Sequence, residues 1–164
     1  MTIIQGKAKL NHLNSYSQKK VATSMYQKGK DFILAAMLLN QKNRFNYVYR
    51  HLICQELENI LKSLLLFKDF KRFKPLLKPR RELGHDLEKI VLCWSKELNG
   101  NRINVKLLNE IKTPNIFYKN HRLRYGSIAD LLFDLRKSKV KSTMKFIHKI
   151  IIKVNKKLRL LRPA

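Results

Sequence analysis

The sequence contains few of the residues that cross-link, bend or break a protein chain. Two cysteines, four prolines and five glycines occur among 164 residues, which argues against a disulfide framework and a loop-dominated fold. Cys54 and Cys93 lie in apolar helical patterns, so we expect free, buried thiols in a reducing compartment. No apolar run is long enough for a signal peptide or a transmembrane helix. These absences predict a folded, cytoplasmic protein without a transmembrane segment.

Acidic residues are the scarcer charged class. Eleven Asp and Glu stand against 36 Lys and Arg, which gives a formal net charge of +25. Self-repulsion of this size costs stability, and a bound polyanion would relieve it. Nucleic acid is therefore the first partner to consider, and an anionic membrane surface is the second. Composition bias is a third explanation, because an AT-rich genome favours Lys, Asn and Ile without any selection for binding.

The positive charge is concentrated in places, which composition bias alone does not predict. Residues 68–81 hold seven basic residues and one acid, Asp69, and no acid follows Asp134. Before the last helix, aromatic and cationic residues alternate from Tyr118 onward, a combination that can stack bases and clamp phosphates or simply anchor a loop. The predicted nucleic-acid contacts are Lys71, Arg72, Lys74, Lys78, Arg81, Arg122, Arg124, Tyr125, Lys145, Lys149, Lys153 and Lys157.

Motifs for bound metals, nucleotide phosphates and nucleophilic serines are missing from the sequence. The two cysteines and five scattered histidines show no spacing typical of a metal site. The patterns GxGxxG, GxxxxGK[ST] and GxSxG do not occur. We therefore expect neither a metal nor a cofactor.

Apolar residues recur with helical periodicity along the chain, which predicts an all-α bundle of four or five helices. We expect one domain over residues 1–164, with residues 1–14 weakly ordered. The connection over residues 68–84 contains Pro75 and Pro79 and is predicted to be a loop. Glu56, beside the apolar seam of the second helix, should be partly buried and paired with Lys or Arg. The predicted helices span residues 15–39, 44–67, 85–98, 105–111 and 127–160.

The long C-terminal helix is predicted to be amphipathic. Its apolar seam alternates steps of four and three, and a row of lysines steps by four beside it. One side should pack on protein and the other should face solvent. The pattern also fits a helix lying on a membrane surface, which ranks lower because this helix is needed to complete the bundle. The seam consists of Val140, Met144, Ile147, Ile151, Val154, Leu158 and Leu161.

Three segments carry a resemblance to a known family. Residues 26–39, YQKGKDFILAAMLL, and residues 52–66, LICQELENILKSLLL, are similar to its first and second helices, and residues 84–90, GHDLEKI, to the start of its third. In order and spacing, residues 20–98 resemble the HEPN family of nucleotide- and RNA-associated helical domains. The resemblance implies a four- or five-helix bundle that is often dimeric. It also implies an RNase or toxin with an antitoxin, or an accessory module beside a nucleotidyltransferase.

Catalytic members of that family use an Arg followed, four to six residues later, by a His. Two copies facing each other across a dimer are thought to cut RNA without a metal ion. Arg80 and His85 match this spacing, and so do Arg44 and His51. The resemblance implies that the His acts as general acid or base and that the Arg stabilises charge on the phosphate.

Three functions follow from the sequence, in this order. Binding of RNA or another polyanion comes first, because the Arg–His spacing arises about once by chance in a chain of this composition. A metal-independent RNase, such as a toxin or defence effector, is the second hypothesis. The third is a protein-interaction module whose charge reflects genome composition.

Overall fold

A computed structural model shows an all-α protein, as the periodicity predicted. It describes residues 14–40, 46–78, 81–98, 100, 105–120 and 141–159, and only the backbone of residues 40, 46, 47, 141, 142 and 153–159. Within these residues there are six helices and no strand. The helices are α1 (Ser15–Asn40), α2 (Asn46–Lys68), α3 (Phe70–Leu76), α4 (Leu87–Leu98), α5 (Val105–Tyr118) and α6 (Lys141–Arg159).

The antiparallel pair of α1 and α2 is the most extensive helix contact in the described structure. Three small residues, Ala22, Gly29 and Ala36, follow each other on α1 at seven-residue steps and therefore share one face. Both alanines are fully buried. At Gly29 the helices come so close that an added Cβ would lie 2.7 Å from Ile60 Cγ1. The small residues thus allow the two backbones to pack tightly.

Helix α2 is the centre of the bundle, since it contacts α1, α3, α4 and α5. Its core residues are almost completely buried and point in several directions. A helix covered on all sides must also bury its polar residues, and Glu56, Glu58, Lys62 and Ser63 are all buried. The partners that these side chains find are decisive for the candidate site.

The predicted loop over residues 68–84 is wrong in its first half, because residues 70–76 form helix α3, whereas the described residues from Leu77 to Gly84 are not helical. The Asp69 carboxylate caps this helix by accepting a 3.0 Å hydrogen bond from Arg72 N. Phe70 and Phe73 are buried and fix the helix against the core. Their burial outweighs the cost of Pro75, which lies inside the helix and cannot donate a backbone hydrogen bond.

Helix α5 also passes a proline that was predicted to end the helix. Pro114 is buried within α5, and the helix continues to Tyr118. Asn115, Phe117 and Tyr118 beyond the proline are buried as well, so tertiary contacts stabilise this last turn. The predicted start of α4 is confirmed, because Asp86 caps it by accepting from Lys89 N at 3.3 Å.

Helix α6 completes the described bundle by packing on α4 and α5. The Phe146 and Trp94 rings meet edge to face at 5.3 Å, and Glu110 of α5 accepts a 3.0 Å hydrogen bond from Thr143 N. Ile147 is fully buried. Residues 121–140 lie outside the described residues, and with them the predicted helix start at residue 127.

Two smaller predictions can be compared with the described residues. Cys54 and Cys93 are free thiols, but only Cys54 is buried as predicted, whereas Cys93 is half-buried. Burial raises the pKa of both thiols. Across the described part of the chain, no helix is both long enough and apolar enough to cross a membrane.

Candidate functional site

The most connected polar group in the described structure is the buried carboxylate of Glu58 on α2. His85 Nδ1 lies 3.1 Å from each of its oxygens. The Lys62 ammonium donates to it at 2.7 Å and the Tyr118 hydroxyl at 2.5 Å. These groups come from α2, the start of α4 and the end of α5, so the carboxylate joins three parts of the fold.

Glu58 is held in its ionised form. Burial alone would raise the pKa of Glu58, but the hydrogen bond from His85 and the charge of Lys62 outweigh it, and the pKa falls to about 2. An ionised carboxylate only accepts hydrogen bonds, so Nδ1 of His85 carries the hydrogen between them. The other ring nitrogen, Nε2, is then the one that can accept a proton.

A second histidine stands beside this carboxylate cluster. The His51 ring centroid is 5.6 Å from the Tyr118 ring centroid. The His85 ring centroid is 6.4 Å from the same centroid, and these two rings meet edge to face. The two histidines that the sequence assigned to alternative Arg–His pairs therefore contact the same tyrosine. We call this cluster the polar centre; it consists of Glu58, Lys62, His51, His85 and Tyr118.

The arginines of the predicted pairs lie outside the described residues. Arg80 and Arg44 are both in this group, so the structure does not test either pairing. Arg122, Arg124 and Tyr125 lie outside it as well. The structure brings His51 and His85 together around Tyr118, which the Arg–His spacing did not predict.

The polar centre adjoins the basic connection between α3 and α4. Lys62 Nζ donates to Leu77 O at 3.3 Å as well as to Glu58. Leu83 N and Gly84 N both donate to Leu76 O, at 3.1 and 3.4 Å, which folds the connection back onto the end of α3. The backbone of this connection is therefore anchored beside the polar centre.

The predicted nucleic-acid contacts in this region divide into two groups. Arg72 holds Glu97 with two hydrogen bonds, of 2.8 and 3.2 Å, and Lys74 lies 5.6 Å from the Phe70 ring centroid. Both are thus engaged within the protein, contrary to a purely solvent-facing role. Three other cations are exposed and form no ion pair with a described residue. We call them the connection surface; they are Lys71, Lys78 and Arg81.

Helix α6 carries part of the predicted lysine row on its outer face. Lys145 and Lys149 are exposed, and the exposed His148 lies between them. The side chains of Lys153 and Lys157 lie outside the described residues. The buried face is centred on Thr143, Ile147 and Ile150, whereas the predicted seam residues Met144 and Ile151 are only partly buried at its edge.

Most acids in the described structure have internal roles. Asp69 and Asp86 cap helices, and Asp86 also binds Asn115 Nδ2 at 2.9 Å. Glu97 accepts hydrogen bonds from Lys68 and Arg72, which lower its pKa. Glu58 and Asp86 each form an ion pair with a lysine as well. Most of the described acidic side chains therefore bind other groups of the protein.

Glu56 contradicts the expectation of a paired carboxylate. Its side chain is 0% exposed, and neither carboxyl oxygen has a hydrogen-bond partner within the described part of the chain. Burial raises the pKa of Glu56 to about 8. It is thus largely protonated at neutral pH and adds little negative charge to the protein.

Comparison with protein-family models, with curated proteins and with solved structures found no match. The resemblance to the HEPN family therefore stays a prediction. Among the described residues, no three His, Cys, Asp or Glu side chains are grouped so that they could hold a metal ion.

Proposed function

We propose that the chain is an HEPN-like domain that binds RNA through its exposed basic residues. The observation that carries this proposal is the separation of charges. The described acids are largely used for helix caps, internal ion pairs and buried positions, while the connection surface and the outer face of α6 keep their cations. A surface of this kind attracts phosphates and releases counterions when it binds them.

The connection surface is the strongest candidate for the phosphate contacts. Lys78 and Arg81 are joined by a 3.1 Å backbone hydrogen bond from Arg81 N to Lys78 O. This turn restrains the chain that carries both cations, so less conformational entropy is lost when a phosphate binds. Arg81 can also bind a phosphate with two parallel hydrogen bonds.

The salt dependence of RNA binding tests the proposal. The double variant Lys78→Gln, Arg81→Gln should lose affinity, and the slope of log K against log salt should fall by about 1.5, because about 0.7–0.9 is lost per phosphate contact. The matched control is Lys96→Gln, Lys112→Gln, which removes the same charge at two exposed positions on α4 and α5. An equal change in both double variants, or an affinity that is independent of salt, would refute specific binding at the connection.

A second function, metal-independent RNA cleavage, is favoured by the two histidines around Tyr118. In this hypothesis His85 Nε2 takes the proton of the 2′-hydroxyl, and the 2′-oxygen attacks the phosphorus. The bond to the 5′-oxygen then breaks while His51, as the general acid, donates a proton to that oxygen. Glu58 keeps His85 in the tautomer that this step requires, through the hydrogen bond to Nδ1.

Cleavage in the presence of EDTA tests this second function. His85→Ala and His51→Ala should each reduce the cleavage rate by about 100-fold or more, the usual contribution of a general acid or base. His148→Ala is the matched control, because His148 is exposed on α6. Cleavage that persists unchanged in both variants would show that these histidines are not catalytic. If the wild-type protein binds RNA without cleaving it, only the first function, RNA binding, is supported.

A further inference from the structure

An open groove runs along the N-terminal half of α1, and neither proposed function uses it. It has a volume of about 480 Å³, which is within the range of ligand-binding clefts. Six of its residues recur on one face of α1 at helical spacing, and the seventh comes from α2. The lining residues are Ser17, Lys20, Val21, Ser24, Met25, Lys28 and Asn59.

The groove combines an apolar floor with cationic ends. Val21 is 37% exposed, and Met25 is half-buried beside it. Lys20 and Lys28 are exposed and form no ion pair with a described residue. None of the lining residues is acidic, so an anionic ligand meets no like charge in the groove.

Asn59 supplies the polar wall on the α2 side. Its Nδ2 donates a 2.8 Å hydrogen bond to Gln55 O, which fixes the orientation of the amide. The remaining hydrogen-bonding capacity is mainly that of its carbonyl oxygen. On α1, the Ser17 and Ser24 hydroxyls add groups that can both donate and accept. The groove can therefore bind the polar edge of a flat ring that rests on Val21 and Met25.

The spacing of the two lysines selects the kind of anion. Lys20 and Lys28 are eight residues apart on one helix, which corresponds to about 12 Å along the axis. The apolar floor of Val21 and Met25 lies between the two lysines, which favours two anionic groups of one ligand over a single small anion. Two phosphates of one strand, with an unpaired base between them, match a cation at each end and an apolar surface in the middle.

We propose that the α1 groove binds an unpaired segment of RNA, with a base on Val21 and Met25 and flanking phosphates at Lys20 and Lys28. This proposal rests on the proposed RNA binding and names a second contact for it. The connection surface would provide phosphate contacts that do not depend on base exposure. The groove would add a preference for single-stranded over double-stranded RNA, because a paired base cannot lie on its floor.

The test is a titration with a single-stranded RNA that contains the fluorescent base 2-aminopurine, whose emission rises when the base leaves the stack of its neighbours for the aliphatic floor of the groove. Lys20→Gln, Lys28→Gln should weaken binding of this strand at least fivefold more than Lys19→Gln, Lys30→Gln. The control pair removes the same charge from the same helix but from positions outside the groove. Val21→Ser, which keeps every charge, should weaken the single strand at least threefold and leave affinity for duplex RNA unchanged.

The outcomes separate failure of the groove from failure of RNA binding. If wild-type protein binds no RNA, both proposals fall. If wild-type protein binds RNA and Lys78→Gln, Arg81→Gln weakens it, but the groove pair behaves like its control, the groove proposal alone is overturned. The same holds if Val21→Ser weakens single-stranded and duplex RNA equally. All substituted residues are at the surface or partly exposed, and circular dichroism verifies that the variants fold.

Discussion

Two carboxylates lie two residues apart on α2, and their environments are opposite. Glu58 receives hydrogen bonds from Lys62, His85 and Tyr118, and its pKa falls to about 2. Glu56 has no hydrogen-bond partner among the described residues, and burial raises its pKa to about 8. Both are buried. Burial alone therefore does not decide the charge of a carboxyl group here; the partners on each side of the helix do.

The side of α2 from which each residue projects explains the difference. Glu56 is one helical turn before Ile60, which packs against Gly29 of α1. Ile60 and Glu56 therefore project from the same side of α2, where the α1 residues Ala22, Gly29 and Ala36 are small and uncharged. Glu58 projects toward the start of α4 and the end of α5, where His85 and Tyr118 are located. One helix thus keeps a charged site on one side and a neutral carboxyl group on the other.

Removal of the charge at Glu58 should have the largest effect. Glu58→Gln leaves the buried ammonium of Lys62 without its counter-charge, and we expect the free energy of unfolding to fall by about 3–5 kcal/mol. The pKa of Glu58 is lower in the folded protein than its usual 4.5. Its contribution is therefore complete above about pH 4.5 and is lost as the pH falls toward about 2. Urea unfolding from acid to neutral pH measures both effects.

A double variant controls for the change in shape. Lys62→Met in the Glu58→Gln background removes the uncompensated ammonium, so the double variant should be more stable than Glu58→Gln alone. If the double variant were less stable by the sum of the two single losses, charge pairing would not explain the stability of the polar centre. Loss of the pH dependence between about pH 2 and 4.5 in Glu58→Gln is the second check.

Neutralisation of Glu56 should act in the opposite direction. The folded protein favours protonated Glu56, because its pKa is raised from 4.5 to about 8. The contribution of Glu56 to stability is therefore highest below about pH 4.5, declines as the pH rises, and levels off above about pH 8, at a slope of at most about 1.4 kcal/mol per pH unit. Glu56→Gln removes this decline and should stabilise the protein by about 1–3 kcal/mol at about pH 8.

An exposed carboxyl group supplies the control for this experiment. Glu82 is exposed on the connection, and Glu82→Gln should leave the decline with pH in place. A Glu56→Gln variant that kept the wild-type decline would mean that another group titrates in this range. Urea unfolding midpoints between about pH 5 and 9 distinguish the two outcomes.

The sequence predicted five of the six described helices, but it missed α3 and ended α5 too early, at residue 111 instead of Tyr118. Asp86 and the apolar periodicity placed α4 correctly. Pro75 and Pro114 predicted helix stops, but buried Phe73 and Phe117 keep α3 and α5 helical around them. A proline therefore predicts the end of a helix poorly when the helix is packed against the core.

Only part of the polar centre can be predicted from the sequence. His51 and Glu58 are seven residues apart, so helical spacing alone puts them on one face of α2. His85 and Tyr118 come from 27 and 60 residues farther along the chain, and no local pattern predicts that they meet there. The same applies to Glu97, which holds Arg72 from 25 residues away.

The smallest expected effect comes from Gly29, where α1 lies close against Ile60 of α2. In an open helix, Gly→Ala gains about 1 kcal/mol. Thr23 is exposed on α1, so the difference in stability between Thr23→Ala and Thr23→Gly measures that amount in this helix. At Gly29 the new Cβ would lie 2.7 Å from Ile60 Cγ1 and 3.3 Å from Ile60 N. Ile60 is fully buried and cannot turn away, so overpacking of about 1–3 kcal/mol outweighs the gain.

We therefore expect Gly29→Ala to lose about 1 kcal/mol net in urea unfolding. The wider spacing of the two helices should also admit water to Glu56, which would lower its pKa and flatten the decline of stability with pH. A stabilised Gly29→Ala variant with an unchanged decline would show that the closeness of the two helices does not keep Glu56 protonated. The contrast between the two carboxyl groups would then depend on the partners of Glu58 alone.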